Sequence, residues 1–133
     1  MAGRSLEGLC TALEHALAQG DARALRSLYV PTAVLVLVVG KVRFEATPDD
    51  AAVDRARLGL PIGISFRSIT EMGGCGEIIL DWSVSGVTTD GTLLDLAGDA
   101  ALTCTEVAGD WYITSEQLRG YERAGISSGS RIP

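Results

Sequence analysis

The chain has 133 residues, 47% of them hydrophobic, and a formal net charge of −6. That length predicts one domain with a real core, and the hydrophobic content excludes an intrinsically disordered chain. Basic residues are scattered apart from Lys41/Arg43 and Arg55/Arg57, so no basic stripe is available to neutralise nucleic-acid phosphates.

Leu6, Leu9, Cys10, Leu13, Ala16 and Leu17 recur at helical spacing, with Ser5 as N-cap and Gly20 as stop. Asp21 is placed to cap a second, shorter helix with Ala24, Leu25, Leu28 and Tyr29 on its inner face, which Pro31 prevents from continuing. Ala33–Val39 reads as a strand apolar on both faces, Gly40 as a turn, and Lys41–Glu45 as a shorter strand of alternating polarity. Thr47-Pro48-Asp49-Asp50 is a helix start: a threonine cap, proline at the first helical position and acids in the first turn. The helix it opens is expected to turn Val53, Ala56 and Leu60 inward and to end around Gly59-Pro61.

Ile62–Met72 is the next expected strand, followed by Gly73-Gly74-Cys75-Gly76 as a flexible link. Gly76–Gly86, Thr92–Val107 and Trp111–Leu118 then read as three successive antiparallel strands, joined at Asp90-Gly91 and at Ala108-Gly109-Asp110. Gly98 interrupts the long middle strand, where a bulge or sharp bend is expected. Residues 1–119 are thus read as a single α+β domain and 120–133, rich in Gly, Ser and Arg, as a loose tail.

The longest apolar run, Ala33–Val39, falls far short of the roughly 20 residues of a spanning helix, so no membrane partner is expected. Arg4, Glu7 and Glu14 stand where a secretion signal needs a clean apolar stretch. Cys10, Cys75 and Cys104 form no paired motif, and the simplest account is a reduced protein of the cytoplasm.

The order helix, Gly-Asp turn, helix, apolar strand, third helix and four strands ending in a G-x-W-x-I segment resembles the nuclear-transport-factor-2-like superfamily. Its SnoaL-like and ketosteroid-isomerase-like members look closest. The matching residues are Gly20-Asp21 with Leu25, Leu28 and Tyr29, then Thr32-Ala33-Val34, then Gly98 through Gly109-Asp110-Trp111-Tyr112-Ile113, over roughly residues 5–118. The resemblance implies a cone: a strongly bent, mixed or antiparallel sheet wrapped around three N-terminal helices, with an apolar pocket at its open end and, in many members, a dimer. Such a fold hosts isomerases, cyclases, dehydratases, epoxide hydrolases and assembly domains, so it does not by itself assign an activity. The isomerase members' tyrosine falls on Leu13, their base on Leu37 and their protonated acid near Thr103. None of the three groups is present, which argues against steroid isomerisation by those positions.

Other chemistry is sparse. His15, the only histidine, lies opposite the apolar stripe of its helix and is expected in solvent. Asp81, Asp95 and Asp99 alternate with Leu80, Trp82, Leu94 and Leu96, so strand parity places them outside the cone unless a bulge at Gly98 reverses Asp99. Cys75 has no neighbouring group to activate it; Arg43 and Arg67, on strands, are candidates to anchor an anionic ligand, but pairing with surface acids is the expected outcome. No metal-ligand spacing and no cofactor motif is legible.

Tyr29, Phe66, Trp82 and Trp111, with Leu13 and Leu37, are therefore the expected lining of a pocket for a small apolar molecule. The alternative is a non-catalytic, dimeric assembly module. In either case a homodimer is expected through the outer face of the C-terminal sheet, where Ile79, Ser83, Ser85, Ala97, Ala101 and Thr103 make a surface of mostly small residues.

Overall fold

A computed structural model describes residues 5–122. Helix α1 (Leu6–Gln19) starts where the Ser5 hydroxyl accepts the Gly8 N–H at 3.0 Å and stops at Gly20, whose φ of +65° suits a residue without Cβ. Helix α2 (Ala22–Arg26) is capped by Asp21, which accepts the Ala24 N–H at 3.0 Å.

That second helix is shorter than expected. It ends at Arg26, and Tyr29 opens strand β1 (Tyr29–Val39) instead of completing a helical face. Pro31 disfavours helical geometry at Val30, and the Leu28 carbonyl accepts the Ile113 N–H at 2.8 Å, which draws this stretch into the sheet.

Strand β2 (Val42–Ala46) follows a turn at Gly40, and α3 (Pro48–Arg57) begins at the Thr47 hydroxyl, which accepts the Asp50 N–H at 3.1 Å. The face that α3 turns inward is Pro48, Ala51, Ala52 and Arg55, spaced i, i+3, i+4, i+7. Val53, expected inside, is exposed; Leu60 lies beyond the helix, and the Ala56 side chain is outside the described ones. A stripe of small residues ending in arginine is easily overlooked in the sequence when a larger apolar residue stands one position away.

Strands β3 (Gly63–Met72), β4 (Cys75–Val87), β5 (Leu93–Val107) and β6 (Asp110–Glu122) complete an α+β fold. Gly73-Gly74 is a tight turn with φ of 57° and 81°, not a flexible link, and Cys75 and Gly76 already belong to β4. Strand β6 extends through Glu122, so Gly120, Tyr121 and Glu122 are sheet residues; 123–133 lie outside the described residues.

The six strands form one curved sheet in the order β2-β1-β6-β5-β4-β3, antiparallel throughout except for the parallel pair β1/β6. The helices cover its concave face, where Leu6, Leu9 and Leu13 of α1 meet Ile78, Leu102, Cys104, Trp111 and Ile113 in the core. No helix among the described residues is long and apolar enough to cross a membrane.

The register slips at two places within β3–β6, neither of them Gly98. Arg67 is the extra residue on β3 against β4, and Thr114 the extra residue on β6 against β5. Around Gly98 the pairing is continuous on both sides. Glycine is required there for a different reason: a Cβ would overlap the carbonyl oxygen of Arg119 on the neighbouring strand. Gly98→Ala is therefore expected to lower unfolding stability by about 3 kcal/mol, the upper range for overpacking, as read by urea denaturation. A loss below about 1 kcal/mol would mean that the two strands separate easily at this point.

Candidate ligand pocket on the concave face

Strand parity, counted through the two bulges, divides the sheet into cross-strand rows. One concave row runs Ala46, Leu35, Glu116, Leu102, Ile78, Ile69 from β2 to β3. The next runs Phe44, Leu37, Leu118, Ala100, Leu80, Phe66. A third holds Gly120, Gly98, Trp82 and Ile64. Within these three rows Glu116 is the one carboxylate among apolar residues and glycines.

Glu116 is 5% exposed and makes two contacts that account for its burial. The Tyr29 hydroxyl donates to Oε1 at 2.5 Å, and Arg55 Nη2 donates to Oε2. Arg55 Nη1 also donates to the Tyr29 hydroxyl at 3.1 Å, which closes a three-membered network linking β1, β6 and α3. Burial and then the Glu116 charge push the Tyr29 hydroxyl well above its ordinary pKa, so it stays a donor. Burial works against the Arg55 charge, but the Glu116 carboxylate more than offsets this and holds the guanidinium above its ordinary range.

Arg55 also borders a recess between α1, α2 and α3, lined in addition by Leu17, Asp21, Leu25, Ala52 and Ile62. Its volume of about 10 Å³ is room for one water. A second arginine braces the same corner: Arg26 donates to Asp49 Oδ1 at 2.6 Å and to the Tyr29 carbonyl at 3.1 Å.

Of the six residues expected to line the pocket, Tyr29 contributes its hydroxyl to this network. Leu13 and Trp111 are each 2% exposed and sit in the core; Trp111 and Leu6 close over Gly76, where a Cβ would meet them at 3.3 and 2.7 Å. Leu37, Phe66 and Trp82 are half-buried on the concave face. Glu116 and Arg55 were missed altogether. A trace of the bulge was present in the sequence, since Trp111 and Ile113 are odd-numbered whereas Leu118 is even-numbered, and such a switch of apolar parity implies an extra residue between them.

The acids expected outside the cone do lie there where contacts are defined. Arg67 holds Asp81 through two bonds of 2.9 and 2.5 Å, and these bonds keep the Asp81 carboxyl below its ordinary pKa. Asp99 keeps its outward parity and pairs with Arg119 at 3.1 Å. Arg43 pairs with Glu45 at 3.7 Å, and His15 is exposed. Burial, then Glu7 and Glu14, raises the Cys10 thiol to about 11; burial, then Cys10, raises Cys104 to about 12, so neither is a nucleophile at neutral pH. Among the described residues no three or more His, Cys, Asp or Glu side chains converge as a metal site.

No protein-family profile matches the sequence, and no curated protein matches it. Solved structures do match in shape. An NTF2-like protein of unknown function from Shewanella baltica superposes with a TM-score of 0.71 at 10% identity, over 89% of this chain and 92% of that one. A ketosteroid isomerase-like protein from Erwinia carotovora atroseptica gives 0.68 at 13% identity, over 86% and 92%. An NTF2-like superfamily protein from Salmonella enterica gives 0.64 at 13% identity, over 91% and 92%. The chain has the nuclear-transport-factor-2-like fold.

Removing one partner from the buried pair isolates a charge. Glu116→Gln is expected to cost about 3 kcal/mol in urea unfolding, because it leaves Arg55 without its counter-charge. The triple variant Y29F/R55M/E116L should recover most of that loss, since apolar groups of similar volume need no partners. An E116Q variant as stable as wild type would contradict the buried ion pair.

Proposed function

We propose that the concave face holds a small, predominantly apolar molecule of the SnoaL-like kind, with Glu116, Tyr29 and Arg55 as the polar end of its pocket. The observation that carries this reading is Glu116: a buried carboxylate, bonded by two donors, on a wall otherwise made of Leu, Ile, Phe and Ala. Half-buried Leu37, Leu118, Phe66 and Trp82 supply apolar surface beside it.

The network contains one proton acceptor and two kinds of donor, the minimum set for moving a proton next to a carbonyl or for orienting such a group without reaction. Leu13 and Leu37 occupy the positions of the ketosteroid-isomerase tyrosine and base, so any isomerase- or cyclase-type step here runs through Glu116. We place the protein in the cytoplasm, where its three free thiols stay reduced.

The test is a thermal-shift and calorimetric screen of neutral cyclic ketones and alcohols. Wild-type protein is expected to gain stability with at least one of them, and Y29F/R55M/E116L to lose that response while remaining folded. An equal response from the triple variant would remove the network from the site, and no response from wild type would sink the pocket.

A second reading, an assembly module, draws on the convex face. Val34 is 52% exposed there, and Val36, Ile79 and Ala101 are half-buried beside it. Across the same face Arg67, Asp81, Asp99 and Arg119 form a row with the two carboxylates adjacent at its centre. Two copies would pack through this surface with their two-fold axis displaced toward β5 and β6, so that an arginine of one meets an aspartate of the other. Sedimentation at micromolar concentration should find a dimer that A101R converts to a folded monomer; a monomeric wild type would end this reading.

A further inference from the structure

We propose that the outer edge of β2 is a self-complementary interface, through which two copies of the chain join their sheets edge to edge. The inference is independent of the pocket reading, and it uses a different surface from the convex face of the assembly reading.

The hairpin sets which backbone groups the edge offers. Among the described residues β2 ends the sheet, with β1 on one side and no strand on the other. The two-residue loop Gly40-Lys41 can close only on a hydrogen-bonded pair, so Val39 and Val42 bond each other. Such pairs alternate along an antiparallel ladder, so Phe44 and Ala46 also direct their N–H and C=O groups to β1, opposite Leu37 and Leu35. Those of Arg43 and Glu45 therefore point away from the sheet. Among the described residues no backbone group from outside the hairpin bonds them. Side chains alternate as well. Val42 and Phe44 are on the concave side, 51% and 54% exposed, and Arg43 and Glu45 are exposed on the convex side.

Antiparallel pairing about a two-fold axis at Phe44 sets Arg43 against the partner's Glu45, and Glu45 against the partner's Arg43. Each such pair exchanges two backbone hydrogen bonds and opposes a cation to an acid on the convex face. The same register sets Phe44 against the partner's Phe44 at a non-hydrogen-bonded pair, where side chains stand closer, and Val42 against the partner's Ala46. A slip of two residues either way would oppose arginine to arginine or glutamate to glutamate, so charge selects one register. Within one copy Arg43 and Glu45 are 3.7 Å apart, an exposed pair whose charges remain available to a partner.

The other edge of the sheet is protected, and this one is not. Strand β3 carries a bulge at Arg67, whose guanidinium turns to Asp81, and a bulge with a cation discourages edge pairing. Between Val42 and Ala46 there is neither a bulge nor a proline. The cation there is matched two residues on by an acid, an arrangement that suits the strand's own copy better than an unrelated strand. Phe44 also ends the concave row of Leu37, Leu118 and Ala100, so pairing brings the partner's Phe44 to the rim of that row. Five residues make a short edge, and the dimer is accordingly of the weak, concentration-dependent kind.

Sedimentation velocity from about 1 to about 300 micromolar should show wild type passing from monomer to dimer. R43E and E45R, each alone, bring like charges together at exposed positions and should weaken the dimer about tenfold while leaving the monomer folded. Mixed in equal amounts, the two variants restore opposite charges at both pairs and should form a heterodimer of wild-type strength. The double swap R43E/E45R should likewise recover a homodimer. Hydrogen exchange locates the contact: the Arg43 and Glu45 amides should gain protection as concentration rises, and A101R, on the convex face, should leave that protection unchanged. A monomeric wild type, or a mixture no tighter than either variant alone, would overturn the edge pairing. So would a dimer that A101R abolishes and in which the Arg43 and Glu45 amides exchange freely, an outcome that favours the convex face instead.

Discussion

One inserted residue organises the functional half of this molecule. Thr114 is extra on β6 relative to β5, and its hydroxyl donates to the Thr103 carbonyl at 3.0 Å, which anchors the bulge. Before it, Trp111 and Ile113 face the core; after it, Glu116, Leu118 and Gly120 do. Because side-chain direction in a strand has period two, a regular β6 that kept Thr114 within the ladder would turn Gln117 and Arg119 inward and Glu116 out to solvent. The buried ion pair, the apolar row around Leu118 and the glycine against the Trp82 ring all depend on the same slip in register.

The bulge also sets how α3 is held. Its inner stripe offers Pro48, Ala51 and Ala52, which together bury little apolar area, and then Arg55. Attachment comes largely from polar contacts: Arg55 to Glu116 and Tyr29, and Arg26 bridging Asp49 to the Tyr29 carbonyl. A helix held by large apolar residues would fill the concave face beneath it. One held by an arginine brings a charged group to that face instead, and keeps it there only because Glu116 is present to receive it.

Most of the fold was legible because its signals are local. Ser5, Asp21 and Thr47 cap helices through bonds spanning three residues, and Gly20 needs only its own φ. The order of the last three strands follows from their turns and apolar alternation. Within the candidate site, Tyr29, Phe66, Trp82 and Leu37 are identifiable as apolar or aromatic residues of inward direction, although the sequence pattern puts Tyr29 on the second helix and the structure puts it at the start of β1. Glu116 and Arg55 are not. Each looks like a surface residue when its own strand or helix is read alone; Glu116 is buried and Arg55 half-buried because they pair with each other. The signal lies in a pair separated by 61 positions, which periodicity within one element cannot register.

The two faces of the sheet treat charge in opposite ways, and the difference bears on where chemistry can reside. On the convex side Arg67–Asp81 and Arg119–Asp99 are solvent-exposed pairs whose carboxylates stand side by side on β4 and β5. Water screens their repulsion, and each arginine restrains its acid, so these groups contribute little to stability and have no dry environment in which to alter their reactivity. On the concave side Glu116, the one charged residue among those described that is fully buried, meets the guanidinium of Arg55. There the interaction is strong, the partners are few, and a molecule that displaces one hydrogen bond changes the balance for all three groups. The convex face has more ionisable groups, but the concave face has the environment in which one of them can matter to a ligand.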